Sequence, residues 1–195
     1  MQQKRRFTSL PCGLESKHPR NPEEDGLKVG LGGDKFVTHC KFNGLDYLHL
    51  RVFENGVPQK KGIALCPQRA RSLLDIAHVV DQEAENNFSI TPEGEQEYFH
   101  HLGYGTYLRV IVKKSGKRYY DVRRYWKNDE NNTVHPTKQG LYMNAEEFAE
   151  LKKLSIRIIE SIRAIGNATA CDCWFKPDET LSCPRCYPFP IHYGM

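Results

Sequence analysis

The chain has 195 residues, 39% of them hydrophobic, and a formal charge of +4 from 28 lysines and arginines against 24 aspartates and glutamates. That length supports one ordinary domain or two small ones around a packed core, and no apolar run approaches the roughly 20 residues of a bilayer-spanning helix, so an intracellular globular protein with no membrane partner is expected. So small a net charge does not by itself announce a polyanionic partner, and the placement of the charges has to decide.

Residues 1–33 mix Lys4, Arg5 and Arg6 with Pro11, Pro19, Pro22 and the run Gly30-Leu31-Gly32-Gly33, without a sustained apolar period. They predict a flexible N-terminal arm. Residues 34–81 change character. Phe36–Phe42 predicts a strand, Asn43-Gly44 a tight turn, Tyr47–Phe53 a second strand, Asn55-Gly56 another turn and Gly62–Leu65 a third strand. Pro67 then opens a helix with Ala70, Leu73, Leu74 and Ala77 on one face. Residues 82–102 are acidic and broken around Pro92-Glu93-Gly94, which predicts a linker.

The same order of events recurs over residues 103–166. Tyr107–Val112 predicts a strand, Ser115-Gly116 a turn, Arg118–Trp126 a long strand and Gly140–Met143 a third. Asn144 and Glu147 form a capping-box pattern ahead of Phe148, Leu151, Leu154, Ile158, Ile159 and Ile162 at helical spacing. Overlaid, Gly44, Tyr47, Leu50, Arg51 and Phe53 match Gly116, Tyr119, Val122, Arg123 and Tyr125. Pro58, Lys60, Gly62 and Leu73 match Pro136, Lys138, Gly140 and Leu151. That coincidence predicts an internal duplication. A lone module this small buries its sheet poorly, which favours two copies packed through their helices.

The run Ser115–Trp126, followed by His135-Pro136-Thr137-Lys138-Gln139-Gly140-Leu141, resembles the positive cofactor 4 family of RNA polymerase II transcriptional coactivators. The residues around Phe42-Asn43-Gly44, Leu48–Arg51 and Pro58–Leu65 resemble it more weakly. The resemblance implies an α+β fold: two copies of a four-stranded antiparallel sheet followed by a helix, packed as an intrachain pseudo-dimer. It implies binding of single-stranded DNA, melted duplex or RNA without sequence preference, transcription-machinery partners, a nuclear location and no catalysis. By the same resemblance the nucleic-acid contacts are Arg123, Trp126, Lys117 and Lys138, with Arg51, Lys60, Lys61 and Phe42 in the first copy. Glu54 stands at the tryptophan position of the first copy and Leu45 at its turn lysine.

Charge and aromatic content bear on that function independently. In the second sheet region Arg109, Lys113, Lys114, Lys117, Arg118, Arg123, Arg124, Lys127 and Lys138 outnumber Asp121, Asp129 and Glu130 by six. Clustered cations release counterions from phosphates, and interleaved aromatics stack unpaired bases. Strict alternation nevertheless puts Tyr119, Asp121, Arg123 and Tyr125 on one face, and Tyr120, Val122, Arg124 and Trp126 on the other. On that pattern Trp126 is a core residue, and Arg123 has Asp121 as an ion-pair partner.

In the Cys-rich tail, residues 167–195, Cys171-x-Cys173 and Cys183-x-x-Cys186 supply four thiolates in two close pairs. They suit a structural zinc ion, against the alternatives of a disordered tail with unbound thiols or a site completed by another chain; no cofactor is otherwise required. Cys40 and Cys66 read as small buried hydrophobes, and reducing surroundings fit better than a disulfide framework. No phosphate-cradling loop, nucleophile elbow or spaced carboxylate pair is evident, so an enzyme is not expected. The competing reading is a protein-interaction adaptor that keeps the fold without the nucleic-acid affinity.

Overall fold

The computed structural model describes residues 24–127 and 134–171. In chain order the elements are β1 (Glu24–Gly32), β2 (Lys35–Phe42), β3 (Leu45–Glu54), β4 (Val57–Leu65), α1 (Pro67–Ile76), α2 (Val80–Asn87), β5 (Ser89–Ile90), β6 (Gln96–Gly103), β7 (Thr106–Val112), β8 (Arg118–Lys127), β9 (Val134–Asn144), α3 (Ala145–Ser161) and α4 (Arg163–Gly166). They form two antiparallel sheets, β1-β2-β3-β4 and β5-β6-β7-β8-β9, with helices, an α+β fold. Among the described residues no helix is long and apolar enough to cross a membrane.

The hairpins follow from their turn residues. Asn43-Gly44 and Asn55-Gly56 adopt positive φ at both positions, 51° and 76°, then 51° and 80°, a backbone whose twist matches that of the flanking strands. A less conventional pair, Tyr104 and Gly105, does the same between β6 and β7, at 52° and 70°.

Two readings of the sequence are corrected. The stretch taken as flexible up to Gly33 contains β1, paired along β2, with Leu31 buried. Its glycines and Lys28 break the apolar alternation, yet Leu31 and Val29 still reach the core. The acidic stretch 82–102, taken as a linker, holds most of α2, then β5 and most of β6. Tyr98 and Leu102 face inward from β6. Its acids are cross-strand partners: Glu97 accepts from Arg109 and Glu95 from Lys113, both on or beside β7.

The first half places four strands before a helix and the second five, the two-residue β5 being the extra one, and the two halves share a detail of register. In β3, Arg51 sits opposite Gly62, and after a bulge Phe53 sits opposite Pro58. In β8, Arg123 sits opposite Gly140 and Tyr125 opposite Pro136 after the same irregularity. The amide released by each bulge donates to the turn before the neighbouring strand, Phe53 to Asp34 O and Tyr125 to Gly105 O, at 2.7 and 2.8 Å. Gly62 is required here: its φ is 153°, and a Cβ would lie 2.4 Å from Leu50 O.

The sheets meet along β4 and β9, and each helix packs on strands of both halves, α1 on β3, β4 and β6 and α3 on β1, β8 and β9, as well as against the other helix. One core results, joining Leu48, Leu50, Leu65, Leu73 and Leu74 to Leu108, Val122, Leu141, Phe148 and Leu151. Each such leucine contributes about 1.5–3 kcal/mol by leaving water. The capping box forms as expected, with Glu147 N donating to Asn144 Oδ1 at 2.9 Å and Asn144 N to Glu147 Oε2 at 2.8 Å. Cys66 is buried, as a small apolar side chain should be, but is also disulfide-bonded, which its isolated position in the sequence did not suggest.

Candidate nucleic-acid interface

Strand alternation sends one set of side chains to the helices and leaves the other on the opposite face. In the second sheet Tyr98, Leu108, Val110, Tyr120, Val122, Leu141 and Met143 join the core, whereas Phe99, Tyr107, Arg109, Tyr119, Arg123, Tyr125 and Tyr142 do not. The outer face is therefore aromatic. Tyr107 packs edge-to-face on Tyr125 with ring centroids 5.4 Å apart, and Phe99 lies 6.0 Å from Tyr125. Nearer the β7–β8 turn, Tyr119 and Tyr142 stack at 5.1 Å. Tyr107 is wholly buried, while Phe99, Tyr119 and Tyr142 are half-buried, so the latter three present ring surface.

The cations of this face are largely neutralised. Arg123 donates through Nε and Nη2 to the two carboxylate oxygens of Asp121 at 2.8 and 3.1 Å, and through Nη1 to Thr137 O at 2.7 Å. The Asp121 hydrogen bonds hold its guanidinium in the charged form, outweighing the effect of burial. Arg109 is paired with Glu97 and Lys113 with Glu95, while on the opposite side of β8 Arg118 is paired with Asp81 and Glu85 of α2. The expected six-charge excess is thus much reduced as an electrostatic field. Lys117 and Lys138 are exposed and make no ion pair among the described residues, Lys117 in the turn beside Tyr119 and Lys138 in the bulge of β9.

Trp126 departs from the core position that alternation alone predicts. It is 48% exposed at the end of β8, its ring 5.2 Å from that of His135.

On the first sheet Phe36, Phe42, Tyr47, Arg51 and Phe53 occupy the corresponding outer face. Phe36 and Phe53 meet edge-to-face at 5.0 Å, and Lys28 Nζ lies 4.1 Å from the Phe53 centroid. His49 stands two residues before Arg51, where Asp121 stands before Arg123, and its Nε2 is 3.1 Å from Cys40 Sγ. Arg51 Nε is buried with no hydrogen-bond partner. Burial pushes the Arg51 guanidinium down from its ordinary value. Lys60 and Lys61 are exposed in the β4 bulge.

Of the proposed zinc ligands only Cys171 falls among the described residues; Cys173, Cys183 and Cys186 lie outside them. Cys171 N donates to Ser72 Oγ at 2.8 Å, and its Sγ lies 3.6 Å from His101 Nδ1. No group of three or more metal-ligating side chains occurs among the described residues. His101 is wholly buried, its ring 5.0 Å from that of Tyr107 and tilted to it by 42°; burial holds its pKa, like that of His100, down at about 4.

Sequence reasoning missed Phe99 and His101, because the surrounding acids masked the alternation of β6. It also underrated the exchange of Asp121 for His49, which aligning the two halves displays. A family model described as Transcriptional Coactivator p15 (PC4) matches residues 109–154, running from β7 through β8 and β9 into α3. No curated protein and no solved structure matches the chain.

Proposed function

We propose that this protein binds single-stranded nucleic acid, without sequence preference, on the outer faces of its two sheets, and serves as a nuclear transcriptional coactivator-like protein rather than an enzyme. The observation that carries the reading is the Tyr119–Tyr142 stack, half-buried on an otherwise aromatic face, beside the exposed Lys114 and Lys117 and inside the segment matched by the coactivator model. Accessible rings next to cations suit unpaired bases and their phosphates, and duplex DNA hides the base faces such rings need. The shared bulge in β3–β4 and β8–β9, together with helices that each pack on both halves, supports a duplicated module acting as its own dimer partner.

Fluorescence anisotropy of a labelled single-stranded oligonucleotide and its duplex, each at two salt concentrations, tests this. Binding that prefers the single strand and weakens steeply with salt is expected; no binding at low salt overturns the proposal. The internal ion pairs of the second sheet favour a second reading, a protein-interaction adaptor, which predicts that outcome. Cys171, Cys173, Cys183 and Cys186 are proposed as structural zinc ligands, and the metal content of the purified protein checks them.

A further inference from the structure

The outer face of the second sheet is open at one end and closed at the other. Near the β7–β8 turn Tyr119 and Tyr142 present ring surface. At the opposite end Tyr107 and His101 are wholly buried and Tyr125 is 8% exposed. All three stand on the side turned away from the helices, and none belongs to the core that the helices share. They form one aromatic patch: Tyr107 lies 5.0 Å from His101 and 5.4 Å from Tyr125, and Phe99 lies 6.0 Å from Tyr125. The outward face of an antiparallel sheet meets water unless something is laid over it.

The chain itself supplies a cover at this place. Cys171, the last described residue, is fastened beside the patch, its N donating to Ser72 Oγ at 2.8 Å and its Sγ 3.6 Å from His101 Nδ1. Residues 172–195 follow, with Trp174-Phe175 near their start and Tyr187-Pro188-Phe189-Pro190 further on. The N-terminal segment instead enters at the first sheet, where Glu24 pairs with Cys40. Segments that alternate proline with aromatics are extended before they bind, and they dock on aromatic-lined surfaces at low entropic cost. Trp174 comes three residues after Cys171, a reach of about 10 Å of extended chain, enough to pass His101 and meet Tyr107.

We propose that residues 172–195 dock on the closed end of this face, Trp174 and Phe175 lying against Phe99, Tyr107 and Tyr125, and so occupy part of the nucleic-acid surface until a strand displaces them. The docking stands on burial and chain path; only the displacement rests on the single-strand reading. An incoming strand meets the Tyr119–Tyr142 stack first and gains the covered rings as the segment leaves. Tethering at Cys171 keeps the segment at high local concentration, which lets modest contacts compete with a strand.

The test uses the full chain. With Trp126→Phe, Trp174 is the single tryptophan, and acrylamide quenching of its emission reads whether it is covered. Trp174 is expected to be quenched several-fold less steeply in the chain than in the free 172–195 peptide, at every protein concentration. Phe99→Ala, which removes one half-buried ring of the patch, should bring the quenching towards that of the peptide. The second readout is the anisotropy of the labelled single strand. Trp174→Ser combined with Phe175→Ser should tighten strand binding about tenfold, the worth of one freed stacking position. The peptide, added at about the millimolar concentration that a short tether supplies, should reverse the gain. If no variant binds the strand while Trp174 stays shielded, the single-strand reading falls and the docking stands. Equal quenching in chain and peptide overturns the docking, and shielding lost on dilution overturns it in favour of a second copy's segment. A shielded Trp174 with a strand affinity indifferent to the double substitution overturns the sharing of the face.

Discussion

Asp121 and Arg123 show how two residues on one strand face can determine what a surface does. Asp121 is buried, and most of what keeps its charge tolerable is the bidentate guanidinium two residues on. Arg123→Gln should therefore destabilise the fold by about 2 kcal/mol, since a buried carboxylate is left without its cation. The shift of the urea midpoint at unchanged denaturant slope measures it. This pairing was legible in the sequence, because a spacing of two puts both residues on one face. The solitude of Arg51 was not: it depends on where an unpaired Nε comes to rest after packing, and only the exchange of His49 for Asp121 hints at it.

Elements announced by their own chemistry were readable, and those whose pattern was overwritten by another requirement were not. The α3 cap could be read because Asn144 and Glu147 satisfy each other locally. The strands β1 and β6 could not, since glycines diluted the first and cross-strand acids disguised the second. β6 also carries a pH dependence. Burial lowers the pKa of His100 and His101 to about 4, so the unfolded chain takes up these protons near pH 6.5 while the folded chain resists until about pH 4. Stability should fall as the pH drops from about 6.5 to 4, because the unfolded state binds more protons throughout that window. Urea midpoints across that range should decline for the parent and decline less for His100→Gln.

At the scale of the molecule, each helix packs on both sheets, so each sheet depends in part on a segment from the far half of the chain. Cleavage between α2 and β5 should then give two pieces that are unfolded apart and regain strand structure when mixed, with circular dichroism of each piece and of the mixture as the measure. A further consequence concerns how copies of the chain avoid one another. Two halves that complete each other's interior would do so equally well if supplied by separate molecules, as a domain-swapped dimer with the same buried surface. What favours closure within one chain is the short path between halves, and α2 lies along that path. Its Asp81 accepts from Tyr120 Oη at 2.5 Å and from Arg118 at 2.8 Å, fastening the connection to the sheet it leads into. The segment that reads as a slack acidic tether is in this sense a clasp, and its strength sets how readily the two halves part for such an exchange.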